Sequence, residues 1–146
     1  MCGITGWVDW KTDLSQQLSL LNQMVKTLAH RGPDASGTWL SPGGRCALGH
    51  RRLSVIDPAN GAQPMQRTTG GRTYSIVYNG ELYNTDELRK ELESKGHRFQ
   101  TRCDTEVLLV SYIEWGAACL DRLTGIFAFA VWTDEEEKLF MARDRL

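Results

Sequence analysis

The 146-residue chain lacks the features that would tie it to a metal, a membrane or a nucleic acid. Its four cysteines, Cys2, Cys46, Cys103 and Cys119, are widely spaced. No CxxC pair or Cys/His cluster occurs, which leaves no zinc-ligand spacing. His30, His50 and His97 are equally isolated. Lys and Arg number 17 against 18 Asp and Glu, a formal net charge of −1. No electrostatic argument therefore favours nucleic acid or an anionic membrane. No run approaches the ~18 apolar residues of a membrane span, and the start has no basic segment leading into an apolar one, as a signal peptide would. Internal repeats and low-complexity linkers are missing too. With 41% hydrophobic and 24% charged residues, the chain has the composition of an ordinary soluble domain. Its length suits one domain, able to bury about 68–70% of its unfolded surface. Dispersed, unpaired thiols fit a reducing cytoplasm.

Residues 4–10 read as a buried strand that would hold Cys2 near the core. Leu18, Leu21, Val25 and Leu28 recur at helical spacing, with Leu20 and Met24 widening the face. The His30-Arg31-Gly32-Pro33-Asp34 turn stops that helix. Residues 38–40 and 46–56 read as strands around Ser41-Pro42-Gly43-Gly44, 57–64 as loop, and 74–78 as a strand. Asn84 with Glu87 three residues on is a capping-box variant. Leu88 and Leu92 share a face, and Gly96 ends that helix. A further helix spans 105–115. Residues 125–133 and 138–143 form a hairpin around the acidic run 134–137, read as a solvated turn. The expected class is α+β, antiparallel sheets with helices packed outside. The last strand is followed by three residues and no closing element, so a piece of a longer protein is expected.

Cys2 stands out because it follows Met1. Removal of Met1 would give Cys2 a free α-amine, whose pKa of about 7.7–8.0 lets it act as a base near neutral pH. Nucleophile and base would then share one residue. The plain alternative is a second residue without a role. Three polar stretches bear on the choice. In His50-Arg51-Arg52-Leu53-Ser54, adjacent arginines on a strand point to opposite faces. One can be solvated while the other grips a carboxylate through paired hydrogen bonds, or both can be surface residues. Asn79-Gly80 is either a tight hairpin turn or an oxyanion hole made of a side-chain amide and a backbone N–H, with Glu81 beside it as an ammonium acceptor. Asp104 is either a helix N-terminal carboxylate or a second acceptor for a substrate amine. Together these groups suit an α-amino acid with a reactive side-chain carbonyl. Residue types alone do not choose glutamine over asparagine.

Met1-Cys2-Gly3-Ile4, His30-Arg31-Gly32-Pro33-Asp34, Arg52-Leu53-Ser54-Val55-Ile56-Asp57, Asn79-Gly80-Glu81-Leu82-Tyr83-Asn84, Asp104-Thr105-Glu106 and Ala142-Arg143-Asp144 follow one another here. In this order they resemble the N-terminal glutaminase domain of glutamine-hydrolysing asparagine synthetase. That domain is a class II glutamine amidotransferase of the N-terminal-nucleophile hydrolase fold. The Arg-Gly-Pro-Asp turn and the Arg-Leu-Ser-Val-Ile-Asp run favour this branch over the glucosamine-phosphate and phosphoribosylamine branches. The resemblance implies a four-layer αββα sandwich over residues 1–146, incomplete at its C-terminus. It implies Cys2 as nucleophile and an oxyanion hole of Asn79 and Gly80. Arg52 would hold the glutamine carboxylate, and Leu53, Ser54, Val55 and Ile56 would line the pocket. Glu81 and Asp104 would receive the ammonium group. No cofactor or metal is implied for this domain. ATP and magnesium belong to a linked synthetase domain that takes ammonia to aspartate, and bacterial relatives are often homodimers. Three other readings stand beside this one. They are a non-catalytic amino-acid-binding domain, an amidotransferase with another acceptor, and a thiol redox protein pairing Cys2 with Cys46 or Cys103.

Overall fold

The structure, a computed structural model, describes residues 1–53 and 59–145. Among these, alternating side chains build two antiparallel sheets. The first contains β1 (Gly3–Val8), β2 (Ala35–Leu40) and β3 (Cys46–Arg52) in the order β1-β3-β2. The second contains β4 (Met65–Thr69), β5 (Arg72–Leu82), β6 (Gly125–Thr133) and β7 (Lys138–Arg143) in sequence order. Helix α1 (Leu18–Thr27) follows β1, while α2 (Thr85–Ser94) and α3 (Asp104–Trp115) lie between β5 and β6, with a short 3-10 turn over Gly116–Arg122.

The two-residue period of β5 sets the layers. Tyr74, Ile76 and Tyr78 face α3, where they meet Leu108, Leu109 and Tyr112. Val77 faces the first sheet and packs with Cys46, Leu48 and Trp132. On the outer side of the first sheet, Leu21 of α1 covers Ala47. On the other flank Leu88 and Leu92 of α2 close against Val107 and Val110 of α3. The result is the expected four-layer α-β-β-α sandwich. Removing a fully buried ring such as Phe129 would cost about 3–5 kcal/mol.

Several local expectations change. Leu18 and Leu20 are exposed, so the buried stripe of α1 is narrower, centred on Leu21 and Val25. β2 begins at Ala35, earlier than expected, because it pairs along the whole of β3. β4 was not expected: it is short and polar, and its order comes from pairing with β5. The Asn84 side chain does not cap α2. Its Oδ1 accepts from Thr124 N at 3.0 Å and its Nδ2 donates to Arg122 O at 2.7 Å, tying α2 to the start of β6. The acidic run is partly engaged, since Glu135 accepts from Thr73 N at 2.8 Å.

Candidate active site

Cys2 lies at the first end of β1, whose Gly3 pairs with Arg51 of β3. This register brings the thiol to the chain just beyond β3. Leu53 N donates to Cys2 Sγ at 3.3 Å, and Sγ lies 3.7 Å from Leu53 O, toward which it donates. The turn at 30–34 does more than stop α1. Arg31 Nε donates to Cys2 O at 3.2 Å. Gly32 passes so close to β3 that a Cβ there would lie 2.4 Å from the Arg51 carbonyl carbon. Arg51 Nε donates to Gly32 O at 2.7 Å, so Arg51 is a clamp on this turn rather than a solvated charge. Arg52, on the opposite face, is buried and lines the cavity beside Cys2.

That cavity has a volume of about 200 Å³. Drug-sized ligands take about 300–1,000 Å³, so this space suits a smaller molecule. Its walls include Cys2, Arg52 and Leu53 on one side and Asn79, Gly80, Glu81 and Asp104 on the other. Ser54, Val55 and Ile56, expected to line it, lie outside the described residues. Met1 also borders the cavity and is exposed.

Asn79-Gly80 is no hairpin turn. Both residues lie inside β5, paired with Ala128 and Phe127. Phe127 N donates to Asp144 Oδ2 at 2.6 Å, and Phe127 O accepts from Asp144 N at 2.9 Å. In an antiparallel ladder this makes Gly80–Phe127 a non-hydrogen-bonded pair. The Gly80 N–H therefore points away from β6, toward the edge where β4 has already ended at Met65 opposite Ile76. Two residues earlier on that edge, Tyr78 N is taken at 2.6 Å by the side-chain oxygen of Gln63. Gln63 Nε2 in turn donates to Thr105 Oγ1 at 3.2 Å. β4 thus stops just short of Gly80 and leaves its N–H facing the cavity. Beside it, Asn79 Oδ1 is buried with no partner among the described residues, at a cost of about 1–3 kcal/mol. Groups left unsatisfied in this way call for an explanation, and function is one.

Asp104 satisfies both of its sequence readings. It is the first residue of α3, where the helix dipole favours a carboxylate, and it also lines the cavity. Its Oδ2 accepts from Tyr78 OH at 2.8 Å and from Leu82 N at 3.4 Å. Burial first, and then the Asp104 carboxylate, push the Tyr78 phenol far above its usual range, so it remains a donor. His50 of β3 is fully buried and hydrogen-bonded to the Tyr78 backbone. Burial, with Arg52 nearby, lowers its pKa to about 4. Arg31, Gln63 and Tyr78 were not picked out as site residues from sequence. Their contacts with the site are not local, because each acts through a partner at least 15 residues away.

All four cysteines are free. Cys46 pairs with Val8, at the other end of β1 from Cys2, about 20 Å away at ~3.4 Å per residue. A disulfide spans only about 4.4–6.8 Å between Cα atoms, and burial pushes the Cys46 thiol up to about 12. Cys46 is therefore no redox partner for Cys2. Cys103 borders the same cavity as Cys2 but is itself buried. Among the described residues, no group of three or more His, Cys, Asp or Glu could hold a metal ion, and no helix is long and apolar enough to cross a membrane.

The Cys2 thiol thus shares one cavity with Arg52, Asn79, Gly80, Glu81 and Asp104, and the whole-chain comparison says which class of protein carries them. Residues 1–146 match the glutamine amidotransferase domain model, and the chain belongs to that family. Asparagine synthetase [glutamine-hydrolyzing] 3 of Bacillus subtilis is 56% identical over the full chain, which spans 24% of that protein. Asparagine synthetase B of Escherichia coli is 39% identical over the full chain, which spans 26% of it. The chain thus spans about a quarter of the length of these curated relatives. The solved glutamine phosphoribosylpyrophosphate amidotransferase of B. subtilis superposes with a TM-score of 0.75 at 23% identity, covering 99% of this chain and 37% of that one. This likeness shows the fold, the same two-sheet sandwich.

Proposed function

We propose that the chain hydrolyses glutamine to glutamate and ammonia through a γ-glutamyl thioester on Cys2. The observation that carries this is the convergence of Cys2, Arg52, Asn79, Gly80 and Asp104 on one small cavity. With Met1 attached, the Cys2 nitrogen is an amide and cannot serve as a base. Removal of Met1 turns it into an amine that takes the thiol proton. Sulfur then attacks the side-chain amide carbon, and the oxyanion is met by the Asn79 side chain and the Gly80 N–H. As the tetrahedral adduct collapses, the ammonium form of the Cys2 amine protonates the departing nitrogen, which leaves as ammonia. Water activated by the same amine cleaves the thioester and releases glutamate. Arg52 holds the α-carboxylate, while Glu81 and Asp104 accept from the α-ammonium group. Leu53 completes the wall.

In a longer enzyme of the kind its relatives represent, a linked synthetase domain using ATP and magnesium would deliver this ammonia to aspartate. A cytoplasmic setting and a homodimer belong to the same proposal. The test is an intact mass after treatment with a diazo-ketone analogue of glutamine. The expected result is loss of the Met1 mass and one adduct at Cys2, prevented by excess glutamine and missing from Cys2→Ala. A processed, titratable Cys2 that ignores the analogue would overturn the proposal.

A further inference from the structure

Tyr78 is held at several points in the cavity wall. Its N–H is held by Gln63, its backbone by His50 and its hydroxyl by Asp104. The ring is 3% exposed and packs in the apolar cluster between β5 and α3. Packing alone would be served equally well by phenylalanine. The hydroxyl adds one thing, a 2.8 Å hydrogen bond to the carboxylate that faces the cavity. Among the described residues, the hydrogen bonds that Asp104 accepts fall on Oδ2, one from Tyr78 and one from Leu82 N. Oδ1 is left as the oxygen that can accept from a ligand.

We infer that Tyr78 is a positioning residue for the substrate amine: its hydroxyl fixes Oδ2 of Asp104, so that the carboxylate presents Oδ1 to the α-ammonium group of glutamine. This inference rests on the amidotransferase function proposed above and deepens it. An unheld aspartate has two torsions to sample, and only part of that range places a charge against the amine. The tyrosine is itself pinned on two sides, so it can hold the carboxylate without yielding. Its phenol stays protonated, because burial and the neighbouring carboxylate both oppose its ionisation. The contact therefore keeps one direction, from Tyr78 to Asp104, over the whole working pH range. The effect falls on binding of the amine and leaves the reacting amide untouched. It is thus a KM effect and not a kcat effect.

The test compares the chain lacking Met1 with its Tyr78→Phe variant. It measures KM and kcat for glutamine, and inhibition by L-glutamate against inhibition by glutarate, which has the same two carboxylates and no amine. For Tyr78→Phe, KM for glutamine and the inhibition constant of L-glutamate should each rise about tenfold, the scale of one weakened charge-assisted contact. The kcat and the inhibition constant of glutarate should stay within about twofold of the parent. In an Asp104→Ala background, where the carboxylate is gone, Tyr78→Phe should add no further change in KM. That pair keeps the question answerable even if one single variant is poorly folded. Equal weakening of L-glutamate and glutarate would make Tyr78 a general wall residue and overturn the inference. So would an unchanged KM. A parent chain that forms the Cys2 adduct but shows either result refutes only this inference. A parent that turns over no glutamine and forms no adduct refutes the function and the inference together.

Discussion

Replacing Gly80 with alanine tests the link between the β5–β6 ladder and the proposed oxyanion site. Gly80 has φ +154°, and a Cβ built on it would stand 2.1 Å from Ile126 O and 2.7 Å from Phe127 Cα. Both obstacles are backbone of β6, so no side chain can swing aside. The left-handed conformation alone costs roughly 1–3 kcal/mol for a non-glycine residue. Relieving the clash means moving β6 and losing one or two ladder hydrogen bonds, each worth about 1 kcal/mol net. A total of about 2–5 kcal/mol follows, and in a domain of this size it lowers Tm by roughly 4–20 °C at about 2–4 °C per kcal/mol. Gly96 is the control. It also has positive φ, +96°, but nothing lies within 4 Å of its Cβ position. Gly96→Ala should therefore cost only the backbone penalty, about 1–2 kcal/mol, and a few degrees. Both variants would be melted side by side by calorimetry. Glutaminase activity would be read at a temperature where both are folded. There Gly80→Ala should lose roughly 10²–10³ in kcat, because its N–H is displaced from the developing oxyanion, while Gly96→Ala keeps full activity. Equal melting temperatures for the two variants would refute the close approach of β6 as the reason for glycine at this position.

Two further predictions follow from the same contacts. The pKa of His50 falls from an ordinary value near 6.5 to about 4 on folding, so between those values the unfolded chain binds the extra proton. The contribution of neutral His50 to stability is complete above pH 6.5, is lost as pH falls toward 4, and levels off below. It amounts to roughly 3 kcal/mol in all. His50→Gln should flatten the fall in Tm between pH 7 and pH 4.5, and an unchanged slope would count against a buried neutral imidazole. Arg51→Ala and Arg52→Ala should separate cleanly. The first loses the 2.7 Å bond to Gly32 O and about 1–2 kcal/mol of stability. The second raises KM for glutamine by about 100-fold or more, as expected for loss of a buried carboxylate partner. Equal effects of the two on KM would reverse the assignment of their faces.

Much of the fold could be read in order along the chain. The helices at 85–94 and 104–115 and the hairpin of β6 and β7 follow from periodicity and from glycine stops, which are local signals. β4 escaped because it has no apolar alternation strong enough to mark it. Its half-buried residues are Met65, Arg67 and Thr69, and its order is borrowed from β5. The capping box at Asn84 failed because a competing partner, Thr124 N, is reached only after the chain returns from α3. At the site, Cys2, Arg52, Asn79, Gly80, Glu81 and Asp104 were legible as chemistry because their side-chain types and motifs are distinctive. Their supporting contacts were not.

The dipeptide Asn79-Gly80 shows where the division falls. Its sequence is compatible with a two-residue turn and with an oxyanion hole, and local conformational preference does not separate them. The separation comes from β6 on one side, whose Phe127 is already bonded to Asp144, and from the early end of β4 on the other. The same holds for Arg51 and Arg52, whose residue type and strand alternation imply opposite faces, though only the pairing of β3 with β1 and β2 tells which face holds Cys2. Residue identity and spacing therefore pointed to antiparallel sheets with helices outside and to a set of candidate reactive groups, and the resemblance their motifs carry supplied the family and its four layers. Which N–H is left without a strand partner, which carboxylate oxygen is held by Tyr78, and which arginine lines the cavity were decided by tertiary structure. Each of these depends on contacts between segments distant in the chain, and no local preference encodes them.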